Sequence, residues 1–203
     1  CTKINIMNYS IYAESTPNPQ VLKFVANRML ADKSIEMNSP EDAKGISIAE
    51  DLFKFPFIKS IYLSANFISI TKTNAVNWEE IAMQLRTFIA DSLNSNNVKN
   101  YTEHIVSENK VNSTLSGKKE SIVKQFSEKE KEVEALLNEY IKPAVEGDGG
   151  AITLNYYKDN IVCVDLKGAC SGCPSATSTL KGGIESLLKK KLNPNIEVIA
   201  NEA

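Results

Sequence analysis

From Asn94 to Phe126 the chain carries no apolar period. Asn, Ser, Lys and Glu dominate this stretch, and its few apolar residues are scattered. About thirty residues without a pattern of their own are uncommon inside one compact domain, so the stretch reads as a polar linker, 94–126. The chain is thereby split into two small units. Both can fold: 42% of the 203 residues are apolar, enough for real cores. Lys and Arg total 23 against 25 Asp and Glu, a balance of -2. That speaks against a strongly basic nucleic-acid binder and against an acidic tail protein. No run approaches about eighteen apolar residues, so no transmembrane helix is expected. The first residues lack the basic, apolar and small-residue order of a secretory signal. Cys1, without an initiator Met before it, reads as a scar or a trimmed precursor.

The front unit, about residues 9–93, alternates strand and helix signals. Ile11 to Glu14 is a short strand, broken by Ser15-Thr16-Pro17-Asn18-Pro19, where two prolines remove two backbone donors. Val21 to Ala26 follows as a second strand, and a polar stretch then runs to Gly45. Ile48, Leu52 and Phe55 lie at helical spacing ahead of Pro56. Ile58 to Leu63 and Phe67 to Thr71 read as a hairpin around Ala65-Asn66. Asn77 and Glu80 suggest a capping box, with Val76 and Ile81 as a staple, opening a helix whose Ile81, Leu85, Phe88 and Ile89 share one face. Trp78, Phe53, Phe55 and Phe57 read as core.

The second unit, 127–203, opens on a Ser127-x-x-Glu130 capping box. Val133, Leu136, Leu137, Tyr140 and Ile141 make one apolar helix face, which Pro143 and then Gly147-Asp148-Gly149-Gly150 are expected to end. Gly147-Asp148-Gly149-Gly150 turns the chain. It lacks the Gly-Lys-Ser/Thr ending of a phosphate-binding loop, so it reads as a tight turn. Ala151 to Tyr156 and Asn160 to Leu166 pair around Lys158-Asp159. A last helix starts at Pro174, carries a stripe of Ala176, Leu180, Ile184, Leu187 and Leu188, and stops at Asn193-Pro194. Lys189, Lys190 and Lys191 suit its C-terminal dipole, and Ile196 to Ile199 is a final strand.

The chemistry-bearing motif is Cys170-Ser171-Gly172-Cys173, in the strand-to-helix loop. A helix N-terminus favours negative charge, so these thiols are expected to ionise below the free value of about 8.5. Gly168 and Gly172 allow close backbone approach. A lone C-x-x-C fits a redox dithiol, half a zinc site or half an iron–sulfur site. Tetrahedral zinc and [4Fe–4S] centres usually take four thiolates, and one motif supplies two. A homodimer with two motifs meeting on a two-fold axis completes the set. Cys163, in a strand, reads as a small hydrophobe. His104, the single histidine, reads as a solvated linker residue; its being alone rules out His-rich sites.

Several stretches then align with a known family. Lys142 to Gly150, Leu166 to Ser175 with the C-x-x-C inside it, and Thr179-Leu180-Lys181 closely resemble the Nfu domain, the C-terminal module of NifU-type proteins, over about residues 128–200. Glu14 to Pro19, Leu22-Lys23-Phe24 and Trp78 resemble the N-terminal domain that accompanies it. The fold class expected is α+β: two small domains joined by the polar linker, the second an α-β-β-α-β module.

The resemblance implies a non-enzymatic iron–sulfur scaffold or carrier. It implies a [4Fe–4S] cluster held between two subunits by Cys170 and Cys173 of each, and passed to apo-proteins. Partners implied are upstream cluster-assembly proteins, apo iron–sulfur clients and a second copy of the chain, without nucleic acid or membrane. The location implied is a bacterial cytoplasm, or the mitochondrial matrix if a transit peptide was trimmed. Two rivals remain. A thiol–disulfide oxidoreductase is disfavoured because proline follows the second cysteine and no thioredoxin-like βαβ precedes the motif. A zinc-bridged structural dimer is the other.

Overall fold

The computed structural model describes residues 8–95, 127–171 and 174–202, the side chains of 174–176 and 202 excepted. Cys1, His104, most of the linker, Gly172 and Cys173 lie outside the described residues, as does the side chain of Ala176. The fold is α+β, as expected, with two sheets and helices on each.

The first sheet contains β1 (Ile11–Ser15), β2 (Val21–Ala26), β3 (Ile35–Met37), β4 (Ile58–Ser64) and β5 (Phe67–Lys72), in the order β1-β2-β5-β4-β3. Its described pairs are all antiparallel. Helices α1 (Ser47–Leu52) and α2 (Trp78–Asn94) cover one face. Leu22, Phe24, Ile61, Leu63, Ile68 and Ile70 bury there against Leu52, Leu85 and Ile89. The Phe55 ring meets Phe88 edge-on at 5.1 Å, so these aromatics belong to the core.

Three local readings need correction. The polar stretch before Gly45 contains β3, a strand of three residues too short to display a period. Asn77 is the N-cap of α2 by backbone, but its side chain makes no cap bond and no capping box forms. Helix α1 ends at Leu52, ahead of Phe55 and Pro56.

The second sheet has the order β6-β7-β8, from β6 (Gly150–Lys158), β7 (Ile161–Gly168) and β8 (Glu197–Glu202). The β6–β7 hairpin turns on Asp159 and Asn160 at φ +50° and +64°, the two left-handed positions of a type I′ turn. Strand β8 runs parallel to β7, and α5 (Pro174–Lys191) makes the crossover. Of the two expected stops the leading helix passes Pro143 and ends at Gly147. It passes from α3 (Glu128–Leu136) through a π-helical turn, Leu137–Ile141, into α4 (Lys142–Gly147). Proline has no N–H and crowds the carbonyl one turn back. The wider turn just before Pro143 accommodates both effects. It also shifts the apolar face: Val133 and Leu137 are buried while Tyr140 is exposed. Tyr140 instead takes Lys191 over its ring at 5.3 Å.

Ser127 forms the full capping box: its hydroxyl accepts the Glu130 N–H at 3.3 Å, and the Glu130 carboxylate accepts the Ser127 N–H at 2.8 Å. Ser127→Ala is therefore expected to cost about 1 kcal/mol in urea denaturation. Asn77→Ala, removing a side chain with no cap bond, should cost well under half of that.

Candidate metal centre

Cys170 follows β7 directly, and its loop is shaped by glycine. Gly168 holds φ +64° and ends the strand; Ser171 closes a turn back on it, its N–H and hydroxyl donating to the Gly168 carbonyl at 3.1 Å and 2.9 Å. Across from this loop lies the turn Gly147–Gly150, in which Gly149 holds φ +81°. The two turns are tied where the Ala169 N–H donates to the Gly149 carbonyl at 3.2 Å. A Cβ on Gly150 would stand 2.7 Å from the Cys170 Sγ and 2.8 Å from the Lys167 carbonyl oxygen. The sulfur thus occupies the space that the missing side chain leaves.

Cys170 is buried, at 7% exposure, and packs with the core of the second sheet. It also lines a cavity of about 340 Å³ together with Asp148, Val145, Thr179, Leu180 and Pro17. The expected low thiol pKa is corrected here. Burial pushes the Cys170 thiol up, and the Asp148 carboxylate adds to the push, from an ordinary 9.0 to about 11. The sulfur sits inward, among apolar groups and beside a negative charge, so the helix N-terminus does not set its ionisation.

Cys163 sits on the opposite face of β7 from the core residues Val162 and Val164, between Tyr156 on β6 and Ile199 on β8. It is buried and accepts the Asn201 amide at 3.2 Å. Cys170 and Cys163 are therefore separated by the sheet, in keeping with a packing role for Cys163. Cys173, the second candidate ligand, lies outside the described residues. Among the described residues no three His, Cys, Asp or Glu side chains converge as a metal site. Lys189 closes its helix as expected, pairing with Glu185 at 2.6 Å.

The front unit reaches this loop, which sequence reading missed. Asn18, in the loop between β1 and β2, donates its amide to the Ala169 carbonyl at 3.3 Å and the Ser171 carbonyl at 3.5 Å. Glu36 on β3 accepts the Gly168 N–H at 3.0 Å. Ser69 on β5 donates to the Gly149 carbonyl at 2.7 Å. Lys23 on β2 donates to the carbonyls of Gly147 at 2.9 Å and Glu146 at 3.2 Å.

Residues 11–96 match the model described as scaffold protein Nfu/NifU N-terminal, and residues 133–199 match the NifU-like domain. The chain belongs to the Nfu/NifU family. It is 31% identical over 185 residues to the human protein named NFU1 iron-sulfur cluster scaffold homolog, mitochondrial, covering 88% of this chain and 66% of that one. It is 28% identical to NifU-like protein 4, mitochondrial, of Arabidopsis thaliana, covering 88% and 61%. The chain thus spans just under two thirds of the length of these relatives. Among solved structures it is similar to a NifU-like protein from Saccharomyces cerevisiae, with TM-score 0.40 and 24% identity over 47% of this chain and 83% of the other.

Two outcomes are expected at this site. Above the ordinary thiol pKa of 9.0 the unfolded chain loses the Cys170 proton while the folded chain keeps it up to about 11. The stability it contributes is whole below about pH 9 and is lost as pH rises through that window, on the order of 1–2 kcal/mol. Urea melts across pH 8–11 should fall more steeply for the natural chain than for Cys170→Ala. Gly150→Ala should cost about 2 kcal/mol or more in the same melts, because neither the sulfur nor the Lys167 carbonyl has room to retreat.

Proposed function

We propose that this chain is an iron–sulfur cluster scaffold and carrier, not an enzyme. In this reading it holds a [4Fe–4S] cluster between two copies of itself and hands it to apo-proteins. The ligands are Cys170 and Cys173 of each copy, so two motifs supply the four thiolates such a cluster takes. The observation that carries the reading is Cys170 itself. It stands at the start of the C-x-x-C, on a glycine-built loop between strand and crossover helix, within the stretch that matches the NifU-like domain. The relatives' names, with "iron-sulfur cluster scaffold" among them, support it. Their designation as mitochondrial favours the matrix over a bacterial cytoplasm. The domain division proposed is 9–93, a linker over 94–126, and 127–203.

The cluster is cargo, and its chemistry here is ligand exchange. Loading requires Cys170 to give up its proton as sulfur binds iron, so uptake releases protons to solvent. Delivery is substitution at iron: a recipient's thiolate bonds to iron, and the Cys170 thiolate leaves and is reprotonated. Iron keeps its oxidation state and no general base is needed. The apo-clients and upstream assembly proteins are the partners this requires. The burial of Cys170 also supports the carrier over an oxidoreductase, whose attacking thiol is an exposed, low-pKa group.

Anaerobic reconstitution with iron and sulfide tests the reading. The natural chain should take up a cluster with the Mössbauer signature of [4Fe–4S], and native mass measurement should give a dimer carrying one cluster. Cys170→Ser and Cys173→Ser should each lose cluster and cluster-dependent dimer while keeping the fold, and Cys163→Ser should keep both. A colourless, iron-free product, or a full iron complement on a single copy, overturns it.

A further inference from the structure

The face of the first sheet away from its helices is not built for water. Its central strands carry large apolar groups there: Val25 on β2, Tyr62 on β4 and Phe67 on β5 form a buried cluster of their own, with Ala151 of β6 packed onto it. All six residues of β2 are buried, including Lys23, and Ser69 on β5 is 2% exposed. What covers them is the second unit of the same chain. The Tyr62 ring lies so close over Gly168 that a Cβ there would be 2.9 Å from its Cδ1. A Cβ on Gly149 would be 2.7 Å from the Ser69 Oγ and 3.3 Å from the Lys23 side chain. The glycines at 149 and 168 thus serve two surfaces: they make the turns and they admit the sheet.

Polar contacts around this cluster aim at backbone. Asn18, Lys23 and Ser69 donate to five carbonyls of the two turns, and Glu36 accepts the Gly168 N–H. The Asn18 amide is held for this by its own loop, where its backbone N–H donates to Thr16 Oγ1 at 3.2 Å and its Oδ1 accepts the Gln20 N–H at 3.0 Å. The adjacent Pro17 lines the cavity that Cys170 opens into.

We propose that the outer face of the N-terminal sheet is a docking site for the cysteine loop of the same chain, and that in the docked state it caps Cys170. Asn18 and Pro17 close over the loop, while Glu36, Ser69 and Lys23 fix the two turns that carry it. In this reading the loop leaves the sheet when two copies meet on a shared cluster, a step that rests on the reading of Cys170 as a ligand. The N-terminal domain thereby acts as a reversible cover over the site.

Two measurements on the full-length apo-chain test this without iron, so their failure is distinct from a failed reconstitution. In the monomeric fraction, nuclear Overhauser contacts between the Tyr62 ring protons and the Gly168 α-protons are expected. Their absence, or their presence only in a dimer, overturns docking within one chain. Ser69→Arg puts bulk against Gly149, and Glu36→Lys removes the acceptor of the Gly168 N–H; neither residue faces the core of its own domain. Each variant should lose the Tyr62–Gly168 contact and alkylate Cys170 with iodoacetamide about tenfold faster, read on the isolated peptide, with an unchanged circular dichroism spectrum. Loss of the contact with no change in Cys170 alkylation in either variant overturns the cap. Retention of the contact in both overturns the assignment of these bonds.

Discussion

Two adjacent residues without side chains set the geometry around Cys170. On one side of the Gly149-Gly150 pair, the Cys170 sulfur and the Lys167 carbonyl fill the space a Cβ would need. On the other, the Ser69 hydroxyl and the Lys23 chain do the same. A side chain at 150 would drive the cysteine loop from its sheet. One at 149 would have to adopt φ +81° and would push away the neighbouring sheet as well. The turn therefore joins the core of the second unit to the face of the first, and the position of the candidate ligand depends on both.

The join is polar in character although it encloses apolar groups. Lys23 is 8% exposed, a costly place for an ammonium group unless it is well partnered. It has four partners: the carbonyls of Glu146 and Gly147, the Glu14 carboxylate at 3.4 Å, and the Phe67 ring at 4.7 Å from its centroid. Bonds aimed at carbonyls recognise the shape of a turn and are replaceable by water when the turn departs. Interfaces between domains of one chain are commonly of this exchangeable kind.

Much of the fold was legible because it is periodic. The hairpins, the amphipathic α2 and the crossover helix all follow from spacing and turn residues, although the β6–β7 turn falls on Asp159-Asn160, one residue later than the Lys158-Asp159 expected. What was not legible came from partners distant in sequence. Strand β3 has three residues and no period, yet it carries Glu36 to Gly168. Pro143, the first of two stop signals, does not end its helix, because a π turn absorbs it and the helix runs on to the second at Gly147. Sequence position near a helix start predicts an easily ionised Cys170 thiol, whereas the fold turns it inward beside Asp148. One signal for the covered face was available. In β2, β4 and β5, Val25, Tyr62 and Phe67 stand at the positions that alternation assigns to solvent. A sheet with large apolar groups on both faces has two covers.

A cover of this kind acts on cargo by population. If only a fraction of the chains have the loop released, every partner that needs it binds more weakly by that same fraction, whatever its own affinity. Strengthening the cap would protect Cys170 from adventitious metals and oxidants and would weaken loading equally. A carrier must both take a cluster and give it away, so neither a permanently open nor a permanently closed loop serves it. An interface of one small apolar cluster ringed by separate hydrogen bonds to backbone, the neutral ones contributing about 1 kcal/mol each, suits that middle range. Its hydrogen-bonding side chains belong to the N-terminal unit and none of them is a candidate ligand, so the balance can change by substitution there while the ligand set stays the same.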